Sequence, residues 1–480
     1  MSTQESIDAA PGAPPAAVPK QGLALLIIAT AQCMLTLDGT IMNVALPSVQ
    51  SSLNLAVADL NWVIGIYALT FGGLLLVGGR AGDLFGRRKV FRVGLVVFAL
   101  ASLLGGLATS GGVLIAARAL QGVGAAIIAP AALSLLATTF PAGAARNKAL
   151  GVYGAMGALG SVLGLLLGGA LTEYLSWRWV LYVNIPITVA VLLGTSALIE
   201  GERENARIDL PGALTATLGL GSLVYAINRA GEEGWADGLT VGFLVAAGVL
   251  LVAFLLIQRA SASPMIPSRV LKEKSRVGAN LIMLLAGACM FATFYFLTLY
   301  MQVVKDYSPM ETGLAYLPFA LGIGIAAGGV GPQLLNRMSE RSVIVLGLLL
   351  ATAGMAWFSV LTPESGLFTL LVPAQLIVSI GLGLTFVTAT VIGVRGVNQE
   401  DTGIASGLLN TNQQVGGAVG LAVLATVAST VTLNATQGTT TPEALTDGYT
   451  VGFMVGGTFY LAALIVGALM IRSAADRRHG

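Results

Sequence analysis

Residues 35–47, LTLDGTIMNVALP, decide how the rest of the chain is read. They place one carboxylate, Asp38, inside an apolar run that extends over residues 22–46. About 20 apolar residues at ~1.5 Å rise each suffice to cross a bilayer. A carboxylate inside such a run costs ~2.5–3.5 kcal/mol on insertion scales, so it must face a partner or a wet cavity. Two readings of Asp38 follow. In one it sits at headgroup level and touches water; in the other it is a protonatable group in a transport pathway.

Composition points the same way. Of 480 residues, 55% are hydrophobic and 10% charged, against roughly 25% charged in soluble domains. Such a chain cannot be solvated as a globule and belongs in a lipid bilayer. A net charge of +2 gives no reason to expect nucleic acid as a partner. The 62 glycines suit helices that pack closely in lipid through small residues. Cys33 and Cys289 both lie in apolar runs and His479 is the only histidine, so neither a disulfide framework nor a metal site is expected. Residues 1–21 are polar and rich in Pro and Ala, which fits a disordered tail. The apolar run that follows is too long for a signal-peptide core and reads as a retained first helix.

Apolar runs between polar breaks predict fourteen spans: 22–47, 60–79, 90–108, 112–140, 148–171, 178–198, 210–229, 239–258, 277–300, 312–334, 342–361, 367–392, 402–431 and 448–471. With the N-terminus inside, 21 basic residues fall in inner segments and only Arg178, Arg229 and Lys305 in outer ones, with Arg118 left within a span. That asymmetry predicts a multi-pass protein of the cytoplasmic membrane with both termini cytoplasmic. A weak repeat divides the chain. Asp83, Gly86 and Arg88 lie 4, 7 and 9 residues beyond Gly79, and Asn336, Ser339 and Arg341 lie at the same distances beyond Pro332. The expected organisation is a six-helix bundle at 22–199, an inserted helix pair with its flanking loops at 200–276, a second six-helix bundle at 277–472 and a tail at 473–480.

Arg118 is the only basic residue well inside a span, and Gln121 follows three positions on, hence on the same face. An unpaired guanidinium in hydrocarbon is too costly, and Asp38 is the one intramembrane carboxylate able to neutralise it. The two are therefore expected to meet, either to hold two helices together or to carry protons. Arginine stays charged, so a proton can enter and leave only at Asp38.

Residues 78–89, GGRAGDLFGRRK, join two spans with one acid and four basic residues. The pattern Gly79-x-x-x-Asp83-x-x-Gly86-Arg87-Arg88-Lys89 resembles the signature loop of the major facilitator superfamily. That resemblance implies a charge cluster of Asp83, Arg87 and Arg88 latching two bundles on the cytoplasmic side. Three more stretches narrow it. LDGTIMNVALP (37–47) is similar to the first-helix motif of the fourteen-span drug:proton antiporters. RALQGVGAA (118–126) matches the fourth-helix Arg motif. GSVLGLLLGGALTEYLSWRW (160–179) resembles the fifth-helix antiporter motif carried here by Gly160, Gly164, Gly168 and Gly169, with Leu165 where the family pattern has proline. Those glycines serve helix packing, coupling, or both.

Other polar and aromatic residues are candidates for a substrate pathway or for ordinary packing: Asn43 and Gln121; Phe291, Phe294 and Tyr295 in the ninth span; and Asn410, Gln413 and Gln414, which share a face of the thirteenth. No phosphate-binding loop is present, which argues against ATP as the energy source. The expectation is an all-α major facilitator fold with two six-helix bundles and two inserted helices. It would work as a monomeric, proton-coupled exporter of amphipathic, drug-like compounds, with no cofactor beyond the proton gradient and no enzymatic activity. An exporter dedicated to one natural product and a facilitator without proton coupling are the alternatives.

Overall fold

In hydrocarbon every backbone N–H and C=O must be bonded within the chain, which leaves a single long apolar sequence only helices to form. The computed structural model describes residues 21–140, 144–200, 209–261, 264–397, 401–436 and 441–471, and the two predicted tails lie outside it apart from Gln21. Among the described residues fourteen helices are long and apolar enough to span a membrane. They are α1 (Gln21–Leu53), α2 (Asp59–Phe85), α3 (Arg87–Gly106), α4 (Gly111–Thr139), α5 (Lys148–Tyr174), α6 (Trp179–Ala197) and α7 (Leu210–Gly231). There follow α8 (Gly238–Ala260), α9 (Lys274–Val304), α10 (Pro309–Arg337), α11 (Glu340–Phe358), α12 (Leu367–Val394), α13 (Thr402–Ala435) and α14 (Pro442–Met470).

All fourteen fall on the predicted spans, with three boundary corrections. α2 runs six residues past the expected 79 to Phe85, so part of the 78–89 connection is helical and only Gly86 separates α2 from α3. α1 continues through Pro47 to Leu53, because Val49 beyond the proline is fully buried and holds the extra turn in place. α14 starts at Pro442, since Thr441 caps a polar first turn that hydropathy alone passes over.

α1 packs along α5, and α4 packs against α2 and α3; in the second half α9 packs along α13 and α11 against α12 and α14. The halves meet where α2 runs beside α13 and α5 beside α10. The inserted pair lies against this seam, with α7 touching both α2 and α13 and α8 packed on α7. Asn61 Nδ2 donates to Asn228 Oδ1 at 3.2 Å on the α2 side, and Thr426 Oγ1 to the Ile227 carbonyl at 3.2 Å on the α13 side.

The α1–α2 end of the molecule is closed across the seam. Gln302 Nε2 on α9 donates to the Val44 carbonyl on α1 at 2.7 Å. The Met310 amide at the start of α10 donates to the Glu173 carboxylate at the end of α5, at 2.9 Å. A Cβ on Gly169 would come within 2.6 Å of the Pro309 carbonyl, and one on Gly313 within 2.6 Å of that of Leu165.

Candidate functional site

α1 carries Asp38 at mid-helix, α4 carries Arg118 and Gln121 one turn apart, and α6 begins its second turn at Asn184. All four side chains are at most 1% exposed, and they converge on one point in the N-terminal bundle. Arg118 Nη1 donates to Asp38 Oδ2 at 2.8 Å. Gln121 Nε2 and Asn184 Nδ2 both donate to Asp38 Oδ1, at 3.1 and 2.7 Å. The carboxylate thus accepts three hydrogen bonds, one of them from its countercharge.

The guanidinium is held from several sides. Its Nε donates to the Val63 carbonyl of α2 at 3.1 Å, its Nη1 also to Gln121 Oε1 at 2.9 Å, and its Cζ lies 4.2 Å from the centre of the Tyr67 ring. Gln121 Nε2 is further shared with Ser102 Oγ of α3 at 2.8 Å. Five helices therefore contribute to one network. The sixth, α5, backs it: a Cβ on Gly160 would lie 2.4 Å from the Cys33 carbonyl, and one on Gly164 2.7 Å from that of Leu37. Gly168 faces the Ile41 carbonyl in the same way, at 2.7 Å.

Burying two charges costs several kcal/mol per ion, and the pair survives only with good geometry and its remaining hydrogen-bonding capacity filled. Gln121 and Asn184 meet it for the carboxylate, although Asn184 Oδ1 is itself buried without a partner among the described residues. Asn184, Ser102 and Tyr67 were not singled out in the sequence; an uncharged polar residue in a span most often bonds its own helix, as Thr188 does with the Asn184 carbonyl at 2.7 Å.

The other predicted positions lie elsewhere. Asp83 pairs with Arg87 at 3.2 Å within the N-terminal bundle, and the Arg88 amide donates to Glu200 at 3.2 Å. Gly86 joins α2 to α3 with φ +96°, a conformation that needs glycine, whereas Gly79 faces Pro130 with ordinary room. Asn43 bonds the carbonyls of Gly39 and Thr40 in its own helix. Phe294 packs edge-on to Phe319 at 4.8 Å, Tyr295 lies T-shaped to Phe296 at 5.7 Å, and Phe291 lies against Gly417. Gln414 lies against Gly72 of α2, partly buried Gln413 is backed at its backbone by Gly287 of α9, and exposed Asn410 bonds the Ser406 carbonyl.

Comparison with known proteins agrees with this architecture. The chain is 46% identical over 408 residues to the puromycin resistance protein pur8 of Streptomyces alboniger, covering 84% of this chain and 81% of that one. It is 43% identical over 405 residues to the cephamycin export protein CmcT of Amycolatopsis lactamdurans, with 83% of each covered. In three dimensions it resembles a bacterial homolog of the human lysosomal transporter Spinster, solved inward-facing and unoccupied, at a TM-score of 0.66 and 15% identity over 94% of this chain and 97% of that one. The Major Facilitator Superfamily model matches residues 28–421. With that match over most of its length, and with fourteen membrane helices arranged as described, the chain belongs to the Major Facilitator Superfamily.

Proposed function

We propose that this protein exports small antibiotic-like molecules across the cytoplasmic membrane in exchange for protons. The observation that carries the proposal is Asp38: fully buried, bonded by three donors and paired with Arg118. Arg118 keeps its charge, so Asp38 is the group through which a proton can come and go. The excess of basic residues in the inner segments supports termini on the cytoplasmic side, which makes the closed α1–α2 end the outer one.

A proton arriving from outside neutralises Asp38. Arg118 is then held only by neutral partners, the Val63 carbonyl, Gln121 and the Tyr67 face, so the binding between α1 and α4 loosens. Substrate is released outward, the bundles then rock, and the proton leaves inward. One charge moving down 100 mV supplies ~2.3 kcal/mol, roughly fiftyfold accumulation. The Asp83, Arg87 and Arg88 loop serves as the inner latch. The protein acts as a monomer, without a cofactor and without enzymatic chemistry; its partners are the substrate, protons and the bilayer.

A narrower reading, export dedicated to one natural product, is favoured by relatives whose names specify single antibiotics, puromycin and cephamycin. The test is uptake of puromycin and of ethidium into inside-out vesicles energised by a proton gradient, with Asp38→Asn as the comparison. Uptake of both supports the broader reading and uptake of puromycin alone the narrower one. Undiminished uptake by the Asp38→Asn variant overturns proton coupling at this residue.

A further inference from the structure

The C-terminal bundle contains a second buried polar cluster, and its register relative to the first can be read from the helix contacts. Gly124 of α4 presses on Phe98 of α3, and Gly381 of α12 presses on Ala351 of α11. Gly94 of α3 presses on Ile127 and Ile128, and Gly347 of α11 on Leu384 and Thr385. These pairs match when α4 and α12 are offset by 257 positions and α3 and α11 by 253. Gly105 against Leu181 in one bundle corresponds to Phe358 stacked on Phe453 in the other, which offsets α6 and α14 by 272. Gly160 on Cys33 corresponds to Gly416 on Leu284, which offsets α1 and α9 by 251.

Applied to the charge cluster, these offsets give Cys289 for Asp38, Gln375 for Arg118, Met355 for Ser102 and Gly456 for Asn184. The contacts agree. As Asn184 bonds Asp38, so the Cys289 thiol donates to the Gly456 carbonyl at 3.1 Å. Met355 closes over the same glycine, whose Cβ would lie 2.6 Å from its Cε. Gln375 is fully buried, and neither its amide nitrogen nor its oxygen has a partner among the described residues. The helices α9–α14 carry charged residues only within two turns of an end.

From this geometry we infer that the Cys289–Gln375 site is an uncharged counterpart of the Asp38–Arg118 site, and that one transport cycle therefore moves one proton per chain. The inference rests on the proton-driven reading above. It fixes the electrical character of transport. Export of a neutral compound brings one net charge inward, while export of a monovalent cation is electroneutral.

Two experiments test it. In proteoliposomes with a clamped potential and a fixed pH gradient, ethidium, a permanent monocation, should move to an end point independent of voltage. Voltage-driven exchange with two protons per ethidium overturns the inference. Transport indifferent to the pH gradient overturns instead the proton-driven reading on which it rests. The second experiment needs no substrate. Cys289→Asp buries an unpaired acid and should lower the folded yield about tenfold or more, and adding Gln375→Arg should recover most of it. The recovery confirms that the two positions face each other as Asp38 and Arg118 do. A double variant no better than Cys289→Asp alone overturns the correspondence, and Gln375→Leu, expected to keep wild-type yield and proton coupling, overturns the spectator role of this site if coupling is lost.

Discussion

Gln302 on α9 donates to the main-chain carbonyl of Val44 on α1 at 2.7 Å, a hydrogen bond that crosses from one bundle to the other at the closed end of the molecule. Val44 lies six residues beyond Asp38 on the same helix, so closure at the seam and the charge cluster share a rigid rod. Any movement of α1 that accompanies protonation must break this bond or carry α9 with it.

Replacing Gln302 with Leu removes the donor and leaves the Val44 carbonyl to its own helix. A single hydrogen bond contributes about 1 kcal/mol, so the closed state should lose roughly fivefold in population. A lone cysteine at Leu166, near the α5–α10 contact, reports this through labelling by a membrane-impermeant maleimide. Faster labelling in the Gln302→Leu background is expected; unchanged labelling means the bond does not hold the seam.

The α5 glycines are not equivalent. A Cβ on Gly164 would lie 2.1 Å from Thr40 Oγ1 and 2.7 Å from the Leu37 backbone carbonyl, whereas one on Gly157 meets nothing nearer than 3.3 Å, at the end of the flexible Gln32 side chain. Gly164→Ala must push α1 and α5 apart beside Asp38, with a cost of about 1–3 kcal/mol typical of overpacking. Gly157→Ala should be neutral or slightly stabilising, since alanine is the better helix former. Thermal melts of the two purified variants separate these outcomes, and equal melting temperatures would show that the stripe is not a close contact.

The fold was legible because hydropathy and the placement of basic residues act on every span independently, and the helices end within a few residues of where charge begins. Asp38 and Arg118 were legible as the only opposite charges that hydrocarbon could not tolerate apart. Asn184, Ser102 and Tyr67 were not, since a neutral polar or aromatic residue in a span is compatible with many neighbours and only helix packing chooses among them. The same limit applies to the ninth span. Spacing groups Phe291, Phe294 and Tyr295, but the partners of the first two, Gly417 and Phe319, depend on how α9 is turned toward α13 and α10. The sequence likewise gave no hint that Gly78, not its neighbour Gly79, is the glycine pressed against α4, where a Cβ would lie 2.0 Å from the Ala126 carbonyl.

Outside the membrane two aspartates make stability sensitive to acid. Asp401, just ahead of α13, accepts two hydrogen bonds from Arg269 at 2.6 and 2.8 Å, which hold its carboxyl below the ordinary carboxylate range. Asp237, the cap of α8, is lowered to about 2 by its hydrogen bond from Arg229 and then by the Thr240 amide. A depressed folded value means stability that is present above the unfolded value, ~3.9, and lost as pH falls through the folded one. Asp401→Asn should therefore lower the melting temperature at pH 7, by the equivalent of about 1 kcal/mol or less because Arg269 is largely exposed. The difference from wild type should begin to shrink as pH drops below ~3.9 and vanish once pH has passed the lowered folded value, which for Asp237→Asn is about 2. A gap constant across that range would exclude linkage to these groups.

The guanidinium of Arg118 offers a last, sharper test, because its geometry separates charge from shape. It bonds Asp38 and Gln121 through Nη1 and the Val63 carbonyl through Nε, with its Cζ over the Tyr67 ring. A lysine carries the same charge as a compact point with three rotatable donors and no plane to stack, so Arg118→Lys should keep neutralisation of Asp38 yet lose the contacts to α2. Breaking part of a buried charged network costs several kcal/mol, and proton-driven export should fall at least tenfold with folded protein still recoverable. Tyr67 supplies the control. Its hydroxyl is buried without a partner among the described residues, so Tyr67→Phe retains the ring and sheds an unsatisfied group. That variant should export at the wild-type rate and melt no lower, whereas Tyr67→Leu, which removes the ring beneath the cation, should lose about 1–2 kcal/mol. If Tyr67→Phe were as impaired as Tyr67→Leu, the hydroxyl and not the ring face would be what the guanidinium depends on.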